Sequence, residues 1–111
     1  MAVIELRRRI KARPDVVWQV ISDMSGLALM AAHVSKVEIL EGEGRGLRRR
    51  VYDQRGRWWV ESCTDWQEGE RYTMAVDSGD FVFPCKRMEY TWGLTRQGEH
   101  VTIAMRFDYS P

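Results

Sequence analysis

A chain of 111 residues, 44% hydrophobic and 30% charged, has the make-up of one globular domain (1–111) with a modest core. Seventeen Lys and Arg against sixteen Asp and Glu leave a net charge of +1, without the basic excess of a dedicated nucleic-acid binder. The longest apolar run, Leu27 to Ala32, is far too short to span a bilayer, and the two cysteines, Cys63 and Cys85, form no C-x-x-C of a zinc ribbon.

In chain order, "VIELRRRIKA" alternates with period two and predicts a strand. Ile4, Leu6, Arg8 and Ile10 share one face; Val3, Glu5, Arg7 and Arg9 share the other. "RPDVVWQVISDMSG" predicts a helix. Pro14 suits its first turn, Asp15 complements the positive end, and Gly26 is a natural stop. Val17, Val20, Ile21 and Met24 form its apolar stripe. "LALMAAHV" reads as a second short helix that must be largely covered. Six strands follow: "KVEIL", "LRRRVYDQ", "GRWWVESCTDW", "ERYTMAV", "KRMEYTWGLTR" and "HVTIAMRFDY". Turn signals separate them at Arg55-Gly56, Glu68-Gly69, Ser78-Gly79 and Gln97-Gly98. Short turns imply an antiparallel meander of about seven strands, an α+β fold whose apolar face needs more cover than two short helices supply.

"EGEGRGLRRRVY" places three glycines and four arginines together. A phosphate cradle needs a helix after the glycines, with its N-terminus on the phosphate. Here Gly46 leads into a strand, and Glu41 and Glu43 would repel phosphate. The stretch reads as a hairpin or as a loop at a cavity mouth.

"IELRRRIKARPDVVWQVISDM", "VSKVEILEGEGRGLRRR", "VES" and "DYSP" together resemble the START-like SRPBCC superfamily, nearest its polyketide cyclase/dehydrase and lipid-transport group. The matching positions are Ala12, Pro14, Val17-Trp18, Asp23, Val37-Glu38, Gly42/Gly44/Gly46, Arg49 and Tyr109-Ser110-Pro111. The resemblance implies a helix-grip fold: a curved antiparallel sheet wrapped around a long C-terminal helix, with a hydrophobic cavity between them. The sequence stops at Pro111, where such proteins begin that helix: either the chain is a fragment or truncated form, or something else covers the apolar face, and a partner subunit, most simply in a homodimer or other oligomer, is the expected cover. Leu29 and Met30 stand where many relatives carry an aromatic set.

The pleat turns Arg49 toward the cavity if Leu47 and Val51 face it, with Arg48 and Arg50 toward solvent. Arg49 and Arg8, on apolar faces, either snorkel at the sheet rim or bind the acidic or phenolate end of a ligand. In "RWWVESCTDW", composition favours Trp58, Val60, Ser62, Thr64 and Trp66 as the core face. The resemblance turns the alternate face inward, with Trp59, Glu61, Cys63 and Asp65, and that orientation is the expected one. Trp58 near Trp66 would then mark an outer contact surface. Glu61 beside Arg49 is the candidate for acid–base work in an aldol cyclisation or dehydration, or else a structural ion pair across neighbouring strands.

Arg8, Trp59, Cys63, Tyr72, Met74, Tyr90, Trp92 and Met105 are the candidates for lining the cavity; each also suits a plain core. His33 and His100 lack neighbours at ligand spacing, so no metal site is expected, and no cofactor is implied. Aromatase/cyclases carry an arginine shortly after the "W-V-x-S" region, where this chain has Cys63 or Thr64.

Three functions follow: binding of a small polyketide-, lipid- or quinone-like ligand; a polyketide cyclase/dehydrase using Glu61 and Arg49; or a ligand-free oligomerising module. Few cysteines and the absence of an apolar leader suit a cytoplasmic protein without membrane insertion or nucleic-acid partner.

Overall fold

The structure, a computed structural model, describes residues 2–26, 31–79 and 87–110. The described residues form strand β1 (Ala2–Ile10), helix α1 (Pro14–Ile21) and strands β2 (Val34–Glu41), β3 (Arg48–Asp53), β4 (Trp58–Gln67), β5 (Arg71–Gly79), β6 (Arg87–Gln97) and β7 (His100–Ser110). All seven strands join one antiparallel sheet in the order β1-β7-β6-β5-β4-β3-β2. The meander read from the turn signals is therefore present, closed at one side by the return of β7 onto β1. No helix follows β7 among the described residues, and none is long and apolar enough to cross a membrane.

Helix α1 is too short to persist alone and depends on the sheet beneath it. Pro14 occupies its first turn, Asp15 lies beside the positive end, and the Ser22 N–H closes it on the Trp18 carbonyl at 2.9 Å. Val17, Trp18 and Ile21 are buried, each contributing about 1.5–3 kcal/mol. Here the structure departs from the expected stripe: Val20 is 54% exposed, and Trp18 takes its place. The reason is reach. Glu68 accepts the Trp18 Nε1–H at 3.0 Å and the Trp66 Nε1–H at 2.8 Å, one carboxylate holding two indoles together. Their rings meet edge-on at 5.5 Å, and Trp66 stacks on Tyr72 at 5.4 Å. The helix also stops at Ile21 rather than running to Gly26, and Tyr72 Oη donates to the freed Ile21 carbonyl.

The second helix expected over "LALMAAHV" falls partly on 27–30, outside the described residues, as do Leu29 and Met30. The remainder is not helical: a turn at 32–33 leads to Val34, the first residue of β2. Ser78-Gly79 is not a turn either, since β5 continues through both residues. The positive-φ glycines at the other three turns, Gly56, Gly69 and Gly98, reverse the chain as expected.

The sheet's inner side, facing α1, carries Leu47, Cys63, Tyr72, Met74 and Tyr90 in one cluster with the helix, and Val34, Val51 and Trp59 in a smaller one. Asp53, also buried, closes the β3–β4 turn. Its carboxylate accepts the N–H groups of Arg55 and Arg57, each at 2.9 Å, and the Arg57 Nε–H at 2.7 Å.

Candidate functional site

The pleat carries Arg49 inward between Leu47 and Val51, as its alternation predicts, while Arg48 and Arg50 lie on the outer side. Register places Arg49 directly opposite Glu61 on β4. Trp59, Glu61 and Cys63 point inward, the orientation the family pattern implied, and Trp58 lies outside under the Arg50 guanidinium, 4.8 Å from its ring. Composition alone is misleading here because Arg49 and Glu61 neutralise each other, so a charged pair occupies the core. Trp66 corrects the other expectation on this strand. It does not join Trp58 outside, because a register shift between Cys63 and Asp65 inserts an extra residue, which sets Asp65 opposite Thr73 on the outer side instead of inward and turns Trp66 onto the Trp18–Tyr72 cluster.

Arg49 is 1% exposed and Glu61 2%. Rim snorkelling therefore does not describe Arg49; it lies inside, fully partnered. Its Nε–H donates to Glu61 Oε1 at 2.9 Å, and Nη2 lies 2.8 Å from the same oxygen. Nη2 also donates to Tyr90 Oη at 2.7 Å, and Nη1 to the Met24 carbonyl at 2.8 Å. Tyr90 Oη donates onward to Glu61 Oε1 at 2.6 Å. The second carboxylate oxygen accepts the Trp59 Nε1–H at 2.8 Å. Tyr90 reaches this centre from β6, across the whole width of β5. Burial works against the charge on Arg49, but Tyr90 and Glu61 outweigh it and hold the guanidinium above its ordinary value. Burial, reinforced by the Glu61 carboxylate, pushes the Tyr90 phenol well up, and burial does the same to Tyr72 and to the Cys63 thiol. Chemically this is a sealed, satisfied polar centre that ties β3, β4 and β6 to the segment after α1.

The expected lining residues divide into two groups. Trp59, Cys63, Tyr72, Met74 and Tyr90 are buried in the two clusters. Arg8, Trp92 and Met105 lie on the inner side of β1, β6 and β7, where Arg8 is exposed and the other two are half-buried. Met105 stands between Leu6 and Trp92 in register. Around them the sheet is open: Ile4 is 47% and Leu6 57% exposed, and Met88, Ile103 and Phe107 are only partly covered. Ile4, Leu6, Ile103 and Phe107 were not among the lining residues expected from sequence, although period-two alternation already put each pair on one face of its strand. Glu68 gave no signal at all beyond sitting in a turn.

The glycine stretch ends the β2–β3 connection. Gly42, Gly44 and Gly46 all have positive φ, and Leu47 N–H returns to the Gly44 carbonyl at 3.1 Å. A Cβ on Gly42 would lie 3.2 Å from the Gly46 oxygen. The loop is a tight hairpin, and with Ser22, Asp23, Met24 and Glu68 it borders an open depression beside Trp66.

The family profile described as polyketide cyclase / dehydrase and lipid transport matches residues 1–111. The chain belongs to this family. Its fold is similar to that of several solved structures. One is the protein XoxI from Bacillus cereus, at 19% identity and TM-score 0.85, covering 100% of this chain and 77% of that one. A START superfamily protein from Mycobacterium smegmatis is 11% identical at TM-score 0.80, covering 97% and 76%. The Zhui aromatase/cyclase from a Streptomyces species is 23% identical at TM-score 0.79, covering 97% and 67%. Among curated proteins no sequence match is found. As a member of the polyketide cyclase / dehydrase and lipid transport family, the chain has the helix-grip sheet expected of START-like proteins.

Proposed function

We propose that this protein binds a small hydrophobic or aromatic molecule, of polyketide, lipid or quinone character, against the inner side of β1, β6 and β7. The observation that carries this reading is the exposure of Ile4 and Leu6 beside half-buried Trp92, Met105 and Phe107. Covering the exposed half of Leu6 alone is worth about 1 kcal/mol. Trp92 offers a stacking surface, and Arg8 offers a cation to an acidic or phenolate end. Membership of a family described by cyclisation, dehydration and lipid transport supports a ligand of this class.

The sealed polar centre favours binding over acid–base chemistry. Both oxygens of Glu61 already accept internal donors, so a substrate would have to displace Tyr90 or Trp59 to reach it.

The test is a titration with anilinonaphthalene sulfonate, an aromatic anion, read by energy transfer from tryptophan. Saturable binding is expected, weakened at least about tenfold by Met105→Glu. Arg8→Glu should weaken this probe but not an uncharged naphthalene. Glu61→Gln, if it still folds, should leave affinity unchanged. Unsaturable binding, or affinity indifferent to Met105→Glu, would overturn the proposal.

A further inference from the structure

The sheet has two edges, β1 and β2, and an edge strand can pair with another chain. Strand β2 is irregular twice, between Val34 and Lys36 and between Ile39 and Glu41. Such shifts twist an edge away from new partners. Strand β1 has none. It pairs with β7 without interruption from Ala2 to Ile10, and residues 3–9 are all exposed.

From this geometry we infer that β1 docks against β1 of a second copy of this chain, antiparallel about a two-fold axis through Leu6. The charge pattern selects the register. With the axis at Leu6 every residue from Ala2 to Ile10 finds a partner. Glu5 then faces the second copy's Arg7, and Arg7 faces its Glu5. The four charges alternate around a rectangle, with like charges only across its diagonals. Moving the axis to Glu5 sets Glu5 against Glu5; moving it to Arg7 or Arg8 sets arginine against arginine. An axis at Ile4 avoids repulsion but pairs only Ala2 to Leu6. Axes between residues would set the apolar face of one copy against the charged face of the other.

The charged row is already begun within one chain. Arg106 is opposite Glu5 in register, with Nη1 3.9 Å from its carboxylate. Pairing extends the row to Arg106, Glu5 and the second copy's Arg7, alternating in sign. On the inner side Leu6 meets Leu6, and Ile4 meets the aliphatic stem of Arg8. Both leucine and isoleucine are about half exposed in one chain, so the pairing covers apolar surface as well as joining backbone. This inference does not rest on the ligand proposal, because the selecting charges lie on the outer face.

Sedimentation equilibrium tests it. The wild-type chain is expected to dimerise. Glu5→Arg and Arg7→Glu should each raise the dimer Kd at least about tenfold, since two attractive pairs become two like-charge pairs. The double variant Glu5→Arg/Arg7→Glu exchanges the cross-chain charges and should bind more tightly than either single variant, though less tightly than wild type because position 5 then opposes Arg106 within its own sheet. A wild-type monomer at high micromolar concentration, or a double variant no tighter than the singles, would overturn the inference. Register is read separately in a Cys85→Ser background. Leu6→Cys should oxidise to a linked dimer and Arg8→Cys should not; equal cross-linking by both would overturn the axis at Leu6.

Discussion

Replacing Arg49 by Met tests whether the buried polar centre holds the fold together. The substitution keeps most of the volume but deletes the guanidinium. It removes both contacts to Glu61 Oε1, the donor to Tyr90 Oη and the donor to the Met24 carbonyl. Glu61 would remain 2% exposed with only Trp59 and Tyr90 as donors. Breaking a buried pair on one side costs about 3–5 kcal/mol, because the remaining charge has no counter-ion. That is a large share of the roughly 5–15 kcal/mol that holds a domain of this kind folded. Urea denaturation followed by far-UV circular dichroism would measure it. The double variant Arg49→Met/Glu61→Leu removes the stranded carboxylate and should be more stable than Arg49→Met alone. A loss below about 1 kcal/mol for Arg49→Met, or a double variant whose losses simply add, would refute the reasoning.

Two further predictions concern pH. Tyr72 and Tyr90 are raised above the ordinary phenol value of about 10, so the folded state resists their ionisation. The stability this contributes is present below that value and is lost as pH rises through the folded values; their phenolate absorbance should appear only together with loss of the dichroism signal. Reversible ionisation of all four tyrosines in the folded protein would contradict it. Asp53 behaves oppositely: burial pushes its carboxyl up, but the N–H groups of Arg55 and Arg57 and the Arg57 guanidinium outweigh this and hold it low. Its contribution is present above about pH 4, the unfolded value, and is lost as pH falls through the folded one. Asp53→Asn should therefore lower stability at neutral pH, with the difference from wild type shrinking below pH ~4; a gap that stays constant down to acid would argue against it.

The strands were legible because period-two alternation in β1 and β7 is nearly unbroken, and their cross-strand partners follow from short turns. Arg49 was legible for the same reason. What alternation could not convey was satisfaction: from the sequence, Arg49 and Glu61 look equally suited to chemistry and to structure. Only the Met24 carbonyl and Tyr90, distant in sequence, show that the pair is saturated. Trp66 escaped because one extra residue after Cys63 reverses the parity of the pleat, and nothing in the residue types marks that position. Val20 and Trp18 both fit a helical stripe; the choice depended on Glu68, fifty residues beyond Trp18.

The Glu68 carboxylate also has a practical consequence. It joins an indole on α1 to an indole on β4, so the environment of Trp18 and Trp66 depends on the helix remaining seated. Lifting α1 would separate the two rings and release both N–H groups to water. Tryptophan emission therefore contains a built-in optical gauge of helix docking, and Glu68→Ala would shift that gauge toward the undocked signal without touching the sheet's own ladder.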